Sequence, residues 1–189
     1  MSTVKIAGIV LAAGLSTRFG GIKQLAELDG ETLTERAVRI STEAGLNPVI
    51  AVIFDAALIV GLQKLGAMVL LNCKTCEGLS SSIAVGVGAA KTLGVDGVVL
   101  MTCDQPALTD AHLHALIAEP SEPAGSAYAG RVGVPAYFPA RSFDALLNLQ
   151  GDAGARELLR RERSVPNEAL ALDIDTPADL DRARDLLRG

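Results

Sequence analysis

The sequence predicts an α/β domain of three layers, with helices on both faces of a mostly parallel central sheet. Three observations predict it. Short Val/Ile/Leu runs alternate with helical patterns through the first half of the chain. Gly45, Gly66 and Gly94 stand just beyond the first three helical segments, where a helix-terminating glycine is expected. The composition is 49% hydrophobic with four Phe, two Tyr and no Trp, so the core must be aliphatic, as in a parallel sheet sealed on both faces.

Taken in order, residues 4–11 read as a buried strand, 32–44 as a helix, 49–54 as a strand and 56–65 as a helix. A strand at 67–71, a helix at 80–93 and a strand at 97–101 follow. Strands and helices alternating at this spacing imply right-handed crossovers and parallel pairing. After Asp104 the pattern loosens. Residues 109–118 read as a helix capped by Thr109 or Asp110, and 119–123 as a turn-rich break. Residues 125–129 and 133–138 lie close enough to pair as a hairpin. Segments 142–149 and 153–161 read as helical, 169–174 as a last strand, and 177–187 as a final helix with Thr176 as N-cap. At 189 residues the chain suits one domain, with a nucleotide-binding half at 1–103 and an acceptor-binding half at 104–189.

The net charge of −5 argues against a broad nucleic-acid footprint. An acidic protein that takes an anionic ligand needs local basic groups or a divalent cation between the charges. The first apolar run is too short to span a bilayer and no secretory n-region precedes it, and three cysteines make no disulfide framework. These features read as a cytoplasmic protein.

The opening stretch Leu11-Ala-Ala-Gly-Leu-Ser-Thr-Arg-Phe-Gly-Gly-Ile-Lys23 breaks an apolar strand abruptly into small residues. A strand emptying into a glycine-rich loop exposes several backbone N–H groups together, and Arg18 and Lys23 add positive charge suited to a polyphosphate. It is neither a Walker A loop nor a Gly-x-Gly-x-x-Gly fingerprint. Taken alone it could be a turn with surface charges. Two acidic clusters, Thr102-Cys-Asp-Gln-Pro106 and Asp173-Ile-Asp-Thr-Pro177, also fall at predicted strand ends, where open parallel sheets bind ligands. Separately, Asp104 could be turn chemistry, and Asp173 and Asp175 helix N-terminal acids. Together, a basic loop and two acidic clusters at one rim form a site for metal-bridged phosphate. Positioning and electrostatics supply most of the catalysis in phosphoryl transfer, so no protein nucleophile is required.

The pattern from Leu11 to Leu25 resembles the signature of nucleotidyltransferases with the Rossmann-like nucleotide-diphospho-sugar transferase fold. Within them the chain resembles the molybdenum cofactor cytidylyltransferase family. Asn72 with Glu77-Gly-Leu-Ser-Ser-Ser-Ile83, Cys103-Asp-Gln-Pro106, Gly151-Asp-Ala-Gly-Ala-Arg156 and Asp173-Ile-Asp-Thr-Pro-Ala-Asp-Leu180 carry the resemblance in order. It implies attack by the terminal phosphate of molybdopterin on the α-phosphate of CTP, with release of pyrophosphate. Arg18, Lys23 and Asp104 would be catalytic. Leu11, Ala12, Ala13, Gly14, Arg18, Lys23, Gly78, Ser81 and Ser82 would bind the nucleotide, and Asp104 and Asp175 would hold Mg2+. Val134, Asp152, Arg156 and Asp173 would face the acceptor. Leu-Ala-Ala-Gly, rather than Leu-Ala-Gly-Gly, points through Ala13 to CTP. GTP or another phosphorylated acceptor is the alternative, as is a non-catalytic carrier delivering cofactor to a molybdoenzyme or its chaperone. The family commonly reads Gly-x-x-Gly-His-Pro where this chain has Gly130-Arg-Val-Gly-Val-Pro135, so Val134 replaces a histidine and puts the acceptor in question.

Four further features carry weaker signals. Cys73 and Cys76 have knuckle spacing without a second pair, so they read as loop thiols rather than a zinc site. Gly86 and Gly88 within a helical pattern read as a close-packing face. His112 and His114, two apart, cannot share a helix face and read as surface residues. Residues 160–163 read as a solvated helix end or a basic lip.

Overall fold

The computed structural model describes residues 4–14, 16, 18–74, 77–152 and 154–188. The chain runs β1 (Ile6–Ala12), β2 (Glu27–Leu28), β3 (Glu31–Thr32), α1 (Leu33–Glu43), β4 (Val49–Ile53), α2 (Ile59–Lys64), β5 (Met68–Leu71) and α3 (Leu79–Thr92). It continues through β6 (Gly97–Thr102), α4 (Asp110–Ile117), β7 (Ala124–Tyr128), β8 (Arg131–Pro139), α5 (Phe143–Leu147), β9 (Arg163–Pro166) and α6 (Pro177–Arg188).

One seven-stranded sheet has the order β5-β4-β1-β6-β8-β7-β9. Neighbours pair in parallel except where β8 meets β6 and β7, so β8 alone runs against the rest. The sheet is mostly parallel, as the aliphatic runs require. Alternation along the strands feeds two cores. β1 turns Val10 and Ala12 to one face and Ala7, Ile9 and Leu11 to the other, and β6 divides Val99 and Met101 from Val98 and Leu100. The first core is covered by Val38 of α1, Leu62 of α2 and Leu113 of α4, the second by Ile83 and Val87 of α3 and Phe143 of α5. Three layers result.

Local chemistry fixes the helix starts. Thr32 and Glu35 form a reciprocal capping box at α1, and the Thr109 hydroxyl accepts from the His112 N–H at α4. Gly86 is the close-packing position on α3: a Cβ there would lie 2.6 Å from Ile9 Cγ2, whereas one on Gly88 would meet nothing. A small third cluster of Leu28, Leu33, Ile174 and Ala183 seats α6 beside the β2–β3 ribbon.

The second half departs from expectation in four places. Residues 169–174 are not a strand. A 3-10 turn, Glu168–Ala171, leads into extended chain, and the last strand is β9, which begins at Arg163, the last residue of the stretch read as a solvated helix end or basic lip. Leu170 and Ile174 are fully buried, but they anchor two different clusters rather than one strand face. The segment 153–161 is a 3-10 helix only over Ala155–Leu159, with Ala153 outside the described residues, and 142–149 shortens to α5. His112 is 6% exposed rather than superficial. Its Nε2 lies 2.7 Å from Ser126 Oγ, which donates to the Pro135 carbonyl. α4 lies over β7, a neighbour that helix periodicity does not reveal; His114 on the other face is exposed. No helix among the described residues is long and apolar enough to cross a membrane.

Candidate active site

The strand order reverses between β1 and β6: successive elements step from β1 to β4 and β5, and β6 then returns to β1's other side. Open α/β sheets bind ligands in the crevice outside the carboxyl ends at such a point. Here the loop after β1 and the loop after β6 open onto one cleft of about 480 Å³.

Ala13 and Gly14 leave β1, and the chain returns through a 3-10 turn, Lys23–Leu25, that aims the Lys23 side chain back into the cleft. Gln24 holds this return. Buried at 3% exposure, its Nε2 donates to the Gly14 carbonyl at 2.7 Å, its Oε1 accepts from Ser16 at 2.9 Å, and its carbonyl accepts from Thr34 Oγ1. Sequence reasoning missed Gln24, although it stands inside the opening motif beside Lys23. A buried amide next to a glycine-rich loop was the available signal.

Asp104 follows β6, and Asp175 reaches the same place by another route. The Ile174 N–H donates to the Asp104 carbonyl at 2.8 Å, tying the 173–175 segment to the β6 loop. Gln105 Nε2 donates to the Leu170 carbonyl, and Asp179 accepts from the Thr176 N–H. Asp175 therefore stands beside Asp104 by a backbone tie, not at the end of a strand.

Lys23 Nζ lies 2.8 Å from Asp104 Oδ2 and 3.1 Å from Asp175 Oδ1, and Arg18 lies 3.2 Å from Asp175. Burial pulls the Lys23 ammonium down, but the Asp104 and Asp175 carboxylates outweigh it and hold the amine above its ordinary value. Both carboxylates thus face one cation. That donor set fits a magnesium ion, which takes one or two protein carboxylates and completes its shell with phosphate and water. Cys103 in the cleft wall is pushed up to about 12 by burial, then by Asp104, so its thiol stays protonated and is no nucleophile.

The opposite wall is the start of α3. Gly78 has φ +86, and a Cβ there would lie 2.5 Å from the Gly151 carbonyl carbon, so the 151–152 turn sits directly against it. Ser80 N–H donates to the Gly151 carbonyl. Asn72 donates to the hydroxyls of both Ser81 and Ser82.

The expected residues divide accordingly. Leu11, Ala13, Gly14, Arg18, Lys23, Gly78, Ser82, Asp104, Asp152 and Asp175 line the cleft. Ala12 lines a smaller neighbouring pocket, and Ser81 donates to the Lys74 and Gly78 carbonyls. Asp173, Val134 and Arg156 are not in the cleft wall. Asp173 lies 3.6 Å from Arg131, and burial together with Asp104 raises its carboxyl to about 6. The Val134 carbonyl accepts from Tyr128, over whose ring Arg131 stacks at 5.2 Å. Arg156 is exposed on the Ala155–Leu159 turn. Cys73 is an exposed free thiol, and Cys76 lies outside the described residues.

A mostly parallel α/β sheet with a glycine loop, two cations and two carboxylates at its switch point defines a nucleotidyltransferase-type site. The chain belongs to the MobA-like NTP transferase domain family, which it matches over residues 8–166. The purine catabolism protein PucB of Bacillus subtilis (strain 168) is 32% identical over 203 residues, spanning 97% of this chain and 98% of that one. A probable molybdenum cofactor guanylyltransferase of Opitutus terrae is 32% identical over 111 residues, 56% of this chain and 51% of that one. Among solved structures, Rv0371c from Mycobacterium tuberculosis H37Rv superposes with a TM-score of 0.80 at 30% identity, over 98% of this chain and 100% of that one. The same protein has been solved in complex with manganese, with a TM-score of 0.76 at 28% identity, over 96% of this chain and 99% of that one. The protein is thus a nucleotidyltransferase of MobA-like type, related to molybdenum cofactor guanylyltransferase.

Proposed function

We propose that the protein transfers CMP from CTP to the terminal phosphate of molybdopterin, releasing pyrophosphate. The observation that carries this reading is the convergence of Lys23, Asp104 and Asp175 on one point of the cleft. Ala13 in the loop favours CTP over GTP. The relative that is a probable molybdenum cofactor guanylyltransferase supports a molybdopterin-type acceptor.

In this reading the backbone N–H groups beside Gly14 meet the triphosphate. Arg18 and Lys23 leave their carboxylate partners for phosphate oxygens. Asp104 and Asp175 would hold magnesium, whose chemistry there is to offset and orient charge on the α-phosphate. An acceptor phosphate oxygen bonds to the α-phosphorus as the bond to the bridging oxygen breaks, and Lys23 and Arg18 take up the charge on the departing pyrophosphate. Residues 104–189 then supply most of the acceptor side, with Asp173, Val134 and Arg156 near it.

Purified protein given molybdopterin, magnesium and CTP, GTP or ATP in turn should release pyrophosphate fastest with CTP. Asp104→Ala should lower the rate by about 10²–10³ or more with the fold intact by circular dichroism. Release with GTP alone would overturn the choice of base. No release with any nucleotide across a panel of phosphorylated acceptors, or an unchanged rate in the variant, would overturn the reading.

A further inference from the structure

The geometry points to Asp152 as a specificity-determining residue for the ribose of the nucleotide, accepting hydrogen bonds from its 2′ and 3′ hydroxyls. The inference rests on the reading of the cleft as a nucleotide site. Asp152 stands in the cleft wall with Gly78, Leu79 and Ser82. Its position is set by its neighbours. Gly151 has φ +60, its carbonyl accepts from Ser80 N–H at 3.1 Å, and a Cβ on Gly78 would lie 2.7 Å from Asp152 Oδ1. The absence of a side chain at Gly78 is what lets the carboxylate lie against the start of α3.

The cleft's three carboxylates differ in one respect. Asp104 and Asp175 are each ion-paired with a cation of the β1 loop, whereas Asp152 has no ion-pair partner among the described residues. An unpaired carboxylate repels a triphosphate, so the phosphates belong at the Arg18–Lys23 end and Asp152 faces an uncharged part of the ligand. That part must offer donors, because an ionised carboxylate only accepts. A nucleoside offers the ribose diol and the amino groups of its base. Two features separate them. Leu11 and Ala13 make a buried apolar wall suited to a flat base, while Asp152 is exposed, which suits the more polar sugar. A carboxylate accepting from a ribose hydroxyl also recurs in other α/β nucleotide sites, for the same chemical reason.

Isothermal titration of CTP, 2′-deoxy-CTP, 3′-deoxy-CTP and UTP with magnesium, against wild type, Asp152→Ala and Asp152→Asn, tests this. Wild type should bind CTP about tenfold or more tighter than either deoxy analogue, the scale of a hydrogen bond to a charged group. Asp152→Ala should bind all three cytidine nucleotides with the affinity wild type shows for the deoxy forms. Asp152→Asn should restore part of the difference, since its amide oxygen still accepts. Equal weakening of CTP and deoxy-CTP in Asp152→Ala would make the residue merely structural and overturn the assignment. A changed CTP-to-UTP ratio with the ribose preference intact would move it to the base and overturn it too. Wild type that binds no nucleotide would overturn the cleft reading together with this one, whereas binding with unchanged discrimination in the variants would overturn this one alone.

Discussion

At the scale of single residues, the site is a set of charges that satisfy one another. Lys23 stands where it can bridge Asp104 and Asp175, so the cleft holds its carboxylates together without an unpaired buried charge among them. A phosphate ligand then exchanges partners rather than meeting bare charge. His112 offers a second case, away from the chemistry. Burial lowers its basicity from the ordinary 6.5. Because the folded state favours the neutral ring, the unfolded chain binds the extra proton as pH falls below about 6.5. Its contribution to stability is therefore complete above that pH and is lost as pH falls through the lowered folded-state value. Urea denaturation from pH 7.5 to 5 should show wild type losing stability relative to His112→Asn over that window. A pH-independent difference between the two would refute the assignment.

At the scale of elements, the legible parts were those whose signal is local. β1, β4 and β6 are runs of buried aliphatics, glycines end α1, α2 and α3, and both core faces follow from strand alternation, while β5 at the sheet edge leaves Met68 and Leu71 exposed. Arg18, Lys23 and Asp104 were legible for the same reason, since each lies in the loop that follows such a strand. Asp175 was placed rightly for the wrong cause, because a backbone tie from Ile174 to Asp104, rather than a strand, delivers it. Residues 154–174 were misread because their apolar residues bury against three separate clusters, which leaves no single period in the sequence. The glycine pair in α3 gives a test of how closely that helix seats on the sheet. Gly86→Ala drives a methyl to 2.6 Å from Ile9 Cγ2 and should cost about 1–3 kcal/mol, with a lower Tm. Gly88→Ala meets open space and should be stabilising by up to about 1 kcal/mol through helix propensity. Equal effects at the two positions would mean that α3 does not pack on β1 as described.

At the scale of the whole molecule, the single antiparallel strand β8 separates two regions of the sheet. Before it, β5, β4, β1 and β6 form a parallel block whose loops build the cleft; beyond it lie β7 and β9, with Tyr128 of β7 under Arg131 from the start of β8 and Ser126 of β7 paired with His112 of α4. The 151–152 turn and the 173–175 segment cross back from the second region to the first, so the halves meet at the site rather than at a linker. If nucleotide and acceptor use different halves, they should order different backbone. Hydrogen exchange with CTP and magnesium should slow residues 13–25, 78–82 and 102–106, together with the crossing segments at 151–152 and 174–175. The β7–β8 hairpin should remain at its free rate until a phosphorylated acceptor is added, and 128–134 should then slow. At a nucleotide concentration of 100 Kd, linkage also raises stability by about 2.7 kcal/mol, so protection should extend through the parallel block. Protection of the hairpin by nucleotide alone, as strong as at the β1 loop, would show that the two halves do not divide the substrates between them.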